Sequence, residues 1–215
     1  MIFLRQVWFY VLYRVIMRWF LKVFVGVEFD RDLPSISSDE AYIVIANHNS
    51  HMDTMVILCS LPFSMQGRVY PVAAADYFAK SKIKKFLYSL FVNAVYVERS
   101  PKRNHVHEFI AIMAKKIDSG SCLLIYPEGS RGEPGVLGEF KSGAARVLLN
   151  SRHLNYVPVY LHETWKPLPK GDGLLIPYLS RVLVGPMKEI DKSKDHRDIA
   201  LSMREDVLSL KPLDN

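Results

Sequence analysis

Apolar residues follow two kinds of pattern, and the change between them divides the chain. From Ile2 to about Val25 the sequence is dense in Phe, Trp, Tyr, Leu, Ile and Val, while Arg14, Arg18 and Lys22 recur every four residues. On a helix that spacing puts the three cations on one stripe. From Ala41 onward, short apolar runs at 42–46, 70–74, 94–97, 122–126, 156–161 and 181–184 alternate with helix-like segments at 54–60, 78–91, 105–118, 142–150 and 196–208. The short runs predict strands, and their alternation with helices predicts an α/β fold with a mostly parallel central sheet flanked by helices. The expected organisation is a membrane-associating helical segment at 1–30 and one domain at 31–215. The charged stretch 191–198 reads as a solvated link into the last helix. Lys80, Lys82, Lys84 and Lys85 read as a solvated helix face or one that meets lipid headgroups.

At 215 residues and 49% apolar content, the chain supports a substantial core and is not generally disordered. Its net charge of +6 admits nucleic acid, an anionic membrane surface or a phosphorylated substrate as partner. The excess is uneven, because no acidic residue precedes Glu28. That asymmetry points to a membrane. The longest uncharged run before Lys22 is Gln6 to Tyr13, short of the roughly 20 apolar residues that a simple span needs. A spanning helix would also hold Arg14 near mid-bilayer, at roughly 2.5–3.5 kcal/mol. The expectation is an aromatic helix lying in the membrane interface with its basic stripe toward headgroups. The alternative is a helix packed on its own domain. A signal peptide is disfavoured, since no uninterrupted apolar region leads to a small-residue cleavage site. Cys59 and Cys122 sit in apolar runs and read as buried reduced thiols, which favours the cytosolic side.

The segment Asn47-His48-Asn49-Ser50-His51-Met52-Asp53 joins one apolar run to the next. Histidine titrates close to neutral pH, and a carboxylate can fix its tautomer. Five residues on a continuous helix turn about 140°, so the two side chains would not meet. They meet if His48 sits in a tight turn and Asp53 opens the following helix. The plain reading is a turn histidine beside an N-cap aspartate, a spacing that chance alone nearly supplies.

A second cluster follows the run 122–125: Tyr126-Pro127-Glu128-Gly129-Ser130-Arg131-Gly132, with Lys141 downstream. Five of the eleven glycines lie between Gly129 and Gly143, so the backbone can turn sharply and present its N–H groups. With the Ser130 hydroxyl, the Arg131 fork and the Lys141 charge, the loop suits a phosphate monoester. It also fits a flexible surface loop, with Glu128 and Arg131 paired to each other. Arg99 ends the run Val95-Tyr96-Val97-Glu98 and gains meaning only if the fold brings it beside Arg131.

Together these segments resemble the glycerolipid acyltransferase family that includes the 1-acylglycerol-3-phosphate acyltransferases, the PlsC-like family. Residues 47–53 match its Asn-His-x-Ser-x-x-Asp block, residues 93–99 its strand ending in arginine, and residues 126–131 its Phe-Pro-Glu-Gly-Thr-Arg block. Phe140-Lys141-Ser142-Gly143 matches the Phe-Lys-x-Gly that follows, and Val157-Pro158-Val159 the fourth block. Asn93 departs from the glycine usual at the start of the second block. The resemblance implies acyl transfer from a fatty-acyl thioester, acyl-CoA or acyl-carrier protein, to the free hydroxyl of a lysophospholipid. The acceptor it implies first is 1-acylglycerol-3-phosphate, giving phosphatidic acid; another lysophospholipid or a lyso-aminolipid is the alternative. It implies His48 as general base and Asp53 as its orienting partner. Arg99 and Arg131 would bind the acceptor phosphate, with Glu128 orienting Arg131 or an acceptor hydroxyl. Gly129, Ser130 and Lys141 would add anion contacts. No metal or other cofactor is implied. The expected location is the cytoplasmic face of the inner membrane, attached from one side.

Three rival readings have less support. A non-catalytic membrane-binding module explains the basic aromatic segment but not the blocks. A phosphate-ester hydrolase lacks a convincing nucleophile or metal set, and nucleic-acid binding rests on charge alone.

Overall fold

The computed structural model describes residues 2–35, 37, 40–74, 92–97, 103–167 and 177–212. The helix expected at 78–91, its lysines and Arg99 lie outside the described residues. Among those described, eight strands form one sheet: β1 Val27–Phe29, β2 Tyr42–Ala46, β3 Val69–Ala74, β4 Val95–Val97, β5 Cys122–Ile125, β6 Asn155–His162, β7 Ser180–Val184 and β8 Lys188–Glu189. The order is β1-β7-β6-β2-β5-β3-β4, with β8 also on β6. Five strand pairings are parallel, and β6 pairs antiparallel with β7 and β8. The fold expected from the sequence is therefore present, as a mixed sheet. All five residues of β2 are buried, as its unbroken apolar run requires of a strand covered on both faces.

The helices are α1 over residues 2–25, α2 Asp53–Leu58, α3 Arg103–Asp118, α4 Gly143–Leu149 and α5 His196–Leu208. The charged link before α5 supplies its cap: the Asp195 carboxylate accepts the Arg197 N–H at 2.9 Å. Cys59 and Cys122 are free and fully buried. Burial pushes their thiols up, to about 12 and about 11.

α1 is α-helical at Ile2–Phe9 and Arg18–Phe20 and π-helical at Tyr10–Met17 and Leu21–Val25. It stops at Gly26, whose φ of 82° needs a residue without a side chain. Phe9, Leu12, Tyr13, Leu21 and Val25 are buried in the same core as the sheet. The opposite side is apolar as well, with Phe3, Leu4, Trp8, Val15, Ile16, Trp19 and Val23 exposed. Among the described residues, no helix is long and apolar enough to cross a membrane.

Arg14 and Arg18 of the basic stripe do not point outward as expected, whereas Lys22 is exposed. Arg14 grips the Asp32 carboxylate through both terminal nitrogens. Arg18 Nη1 donates to Asp32 Oδ1 at 2.8 Å and to the Cys59 carbonyl at 2.9 Å. Its guanidinium lies 4.2 Å from the Phe29 ring centroid. The physical reason is that Asp32 sits just past β1, where one carboxylate can bind both arginines and offset one of their two charges as α1 folds back over the sheet.

This arrangement has a measurable pH signature. Burial favours the protonated form of Asp32, but hydrogen bonds from Arg14 and Arg18 outweigh it and hold the pKa below the ordinary 3.8. The stability due to ionised Asp32 is thus complete above pH 3.8 and lost as pH falls through the depressed folded value. Asp32→Asn is expected to cost about 0.5–1 kcal/mol at neutral pH, a figure discounted for solvent screening. Thermal melts across pH should show the gap to wild type closing in acid. A gap that persists there would mean the ion pairs are not its source.

Candidate active site

Six residues of turn, Asn47–Met52, separate the end of β2 at Ala46 from α2, which Asp53 opens. This strand-turn-helix brings His48 and Asp53 together: His48 Nδ1 lies 2.9 Å from Asp53 Oδ2. Asp53 is fully buried, whereas the His48 side chain keeps 22% of its exposure. The turn supplies further donors to the same oxygen, the Asn49 and Ser50 N–H groups, each at 2.8 Å. Asp53 Oδ1 accepts the Thr164 hydroxyl at 2.7 Å. A buried carboxylate is tolerated when its lone pairs are met in this way. With the carboxylate as acceptor, Nδ1 carries the proton, leaving Nε2 as the basic ring nitrogen.

The ring is also held on its face. Tyr126 stacks on His48 with centroids 4.0 Å apart and planes 16° from parallel. The Tyr126 hydroxyl lies 3.1 Å from Thr54 Oγ1 on α2. Below the turn, Asn47 is buried and exchanges two hydrogen bonds with Leu161 of β6, Nδ2 to the carbonyl at 3.0 Å and Oδ1 from the N–H at 2.7 Å. These bonds fix the exit of β2 against its neighbour.

The Glu128 carboxylate accepts the backbone N–H of His48 at 2.9 Å through Oε1 and that of Gly138 at 3.3 Å through Oε2. It therefore braces the His48 turn and is not paired with Arg131, the partner the loop sequence offered. A Cβ on Gly132 or Gly138 would come within 2.8 Å of Oε2, so both glycines are needed for the loop to wrap this carboxylate. Burial raises the Glu128 pKa, against the opposing His48 and Gly138 N–H groups.

Gly129, Ser130, Arg131 and Lys141 lie exposed on the loop after β5. Lys141 Nζ is 2.9 Å from the point where a Cβ on Gly129 would sit. The Gly129 N–H donates to the Tyr126 carbonyl at 3.0 Å, and the Gly132 N–H to the His48 carbonyl at 3.0 Å. Those two amides are engaged within the protein, one in the loop and one with the His48 turn, while the side chains of Ser130, Arg131 and Lys141 are exposed beside them. Arg131 Nη1 lies 2.7 Å from His51 Nδ1. His51 lies in the same turn as His48, and through it the turn touches Arg131. Burial first, and then the Arg131 charge, lower the His51 pKa. Arg99 lies outside the described residues.

Thr164 is the site residue that sequence reasoning missed. It is separated from Asp53 by 111 positions, and Leu161-His162-Glu163-Thr164 carries no recognisable pattern. Asn47 and Tyr126 were legible as parts of blocks, without their roles.

A sequence profile of the family described as Acyltransferase matches residues 24–162. A Mycoplasma pneumoniae protein named probable 1-acyl-sn-glycerol-3-phosphate acyltransferase is 27% identical over 123 residues, covering 56% of this chain and 42% of its own length. The chloroplastic 1-acyl-sn-glycerol-3-phosphate acyltransferase LPAT1 of Arabidopsis thaliana is 26% identical over 155 residues, covering 70% of this chain and 40% of its own. The chain thus spans less than half the length of these two relatives. The crystal structure of the 1-acyl-sn-glycerophosphate acyltransferase PlsC from Thermotoga maritima shares the fold, with a TM-score of 0.64 and 20% identity over 93% of this chain and 78% of that one.

Proposed function

The chain belongs to the acyltransferase family, and from that premise we propose that it moves a fatty-acyl group from an acyl thioester to the free hydroxyl of a lysophospholipid, with 1-acylglycerol-3-phosphate as the acceptor and phosphatidic acid as the product. The observation that carries this reading is the His48–Asp53 pair at 2.9 Å, with Asp53 buried and the imidazole partly exposed to solvent. His48 Nε2 takes the acceptor's hydroxyl proton as the oxygen attacks the thioester carbonyl. Asp53 holds the ring and stabilises its cationic form, and the proton then passes to the leaving thiolate. No enzyme nucleophile is required.

The acceptor phosphate is read as held by Arg131 and Lys141, with Ser130 adding a hydroxyl donor; Arg99 is assigned the same role on sequence alone. Arg131 would leave His51 to make this contact. The donor is acyl-CoA or acyl-carrier protein, used as a co-substrate. The exposed apolar side of α1 would rest on one leaflet, so that both apolar substrates are taken from lipid. The reduced thiols of Cys59 and Cys122 suit the cytoplasmic side.

The test offers both donors against a panel of lysolipids and follows thiol release with product identity. If no pair turns over, the proposal fails. Arg131→Ala is expected to raise KM for a phosphate-bearing acceptor roughly tenfold, the loss of one screened charge-assisted contact. A neutral acceptor should hardly notice the change. Equal effects on both would remove Arg131 from the phosphate role.

A further inference from the structure

We propose that Thr164 is a positioning residue for the His48–Asp53 pair, holding the Asp53 carboxylate so that its other oxygen faces His48. The inference rests on the reading of His48 as the base and adds to it a residue that follows the neighbouring strand β6. Asp53 has two oxygens with separate duties. Oδ2 receives His48 Nδ1 and the N–H groups of Asn49 and Ser50. Oδ1 receives the Thr164 hydroxyl at 2.7 Å, and both residues are almost wholly buried. An ionised carboxylate only accepts, so the Thr164 proton must lie on this bond. It fixes rotation about the last bond of the aspartate side chain, which the three Oδ2 contacts alone leave dependent on one atom.

The chain bends sharply to deliver this hydroxyl. Thr164 follows Glu163, the residue just past β6, which has a φ of 58° and is the non-glycine residue recorded at positive φ. That conformation is costly for a side chain and persists where its surroundings impose it, often beside functional groups. Here the surroundings are visible. The Glu163 carbonyl accepts the Ser180 hydroxyl at 3.1 Å, from a buried position at the start of β7. It also accepts the Lys166 N–H at 3.0 Å, and Lys166 Nζ pairs with the Glu163 carboxylate. Upstream, Asn47 clamps Leu161 through both of its amide atoms. The turn bearing the base and the bend bearing Thr164 are therefore registered to each other on both sides of Asp53.

Thr164→Val keeps the shape and removes the donor; Thr164→Ser keeps the donor. With the full chain on vesicles, Thr164→Val is expected to lower kcat about 10- to 100-fold, the range seen when a group that orients an active side chain is lost. Acceptor KM should stay within about threefold, because no substrate contact is removed. Thr164→Ser should restore kcat to within a few-fold of wild type. Nitrogen NMR of histidine-labelled protein, with His48 assigned by its loss in His48→Gln, should show the Nδ1–H tautomer in wild type and Thr164→Ser. In Thr164→Val it should show a mixture. Should Thr164→Val fail to accumulate, Thr164→Cys, with only a weak donor, takes its place in both measurements. Wild-type kcat and an unchanged tautomer in the donor-free variant overturn the proposal, as does an effect confined to KM. The tautomer is read without turnover, so it decides the role of Thr164 even if His48→Ala remains active and the general-base reading falls.

Discussion

His48→Ala is expected to lower kcat/KM by about 10²- to 10⁴-fold, the usual contribution of a positioned general base. Most of the loss should fall on kcat, because the imidazole acts on the proton that moves and not on the acceptor phosphate. The fold should survive. His48 is partly exposed, and the bond from its backbone N–H to Glu128 does not need the ring. His48→Gln sharpens the result, since an amide can still donate toward Asp53 but cannot accept and release a proton near neutral pH. Asp53→Asn is a poorer test. Its amide nitrogen would face backbone N–H groups from Asn49 and Ser50 or the Thr164 hydroxyl, so lost stability would mix with lost activity. Initial rates over both substrates, with melting curves for each variant, separate these effects. Full turnover by His48→Ala would end the catalytic assignment.

Replacing Trp8, Ile16 and Trp19 together by serine is expected to weaken vesicle binding about 100-fold. Each side chain is about half exposed, at 50%, 53% and 59%. Burying the exposed half of such a residue is worth about 1 kcal/mol. Three of them sum to about 3 kcal/mol, or roughly two decades in affinity. An exposed apolar face of this kind on a folded domain marks a contact surface, and in-plane membrane binding is the contact proposed for it. Because these residues face away from the core, the triple variant should melt close to wild type. Leu12→Ser, a buried position on the same helix, should instead destabilise the domain. Salt offers a second discrimination. Arg14 and Arg18 share the Asp32 carboxylate, which offsets one of their two charges and turns both toward the domain, so binding to weakly anionic vesicles should depend on ionic strength less than an outward basic stripe would require. Flotation with neutral and anionic vesicles measures both quantities. Unchanged binding by the triple variant would exclude α1 as the membrane contact.

The strands and helices with strong periodicity were legible because their own residues dictate them. The buried run 42–46 has to be a central strand, and the apolar spacing of 196–208 has to be a helix. β1 and β8 were not legible, since three and two residues have no period and exist as strands only through partners distant in sequence. The direction of β7 was equally hidden, because a long connection from β6 permits either sense. The basic stripe of α1 was legible as a stripe, but Arg14 and Arg18 turn toward Asp32 where an outward face was expected, and Lys22 stays exposed. Periodicity says which residues share a side, but not which side meets the domain.

The same division runs through the candidate site. Residue identity and local spacing were enough to expect His48 in a turn and Asp53 at a helix start, because a strand, six turn residues and a helix leave few ways to join. They were also enough for the exposed Ser130, Arg131 and Lys141 on a loop. The orientation of Glu128 toward the His48 backbone, 80 positions away, came only with the sheet, which sets β5 beside β2. So did the clamp of Asn47 on Leu161 and the donation of Thr164 to Asp53. Hydrogen bonds between segments this far apart leave no periodic trace in a single sequence, since each partner alone is an ordinary polar residue. Local chemistry therefore picked out the histidine and its carboxylate, and the packing of β2 between β5 and β6 decided what holds them still.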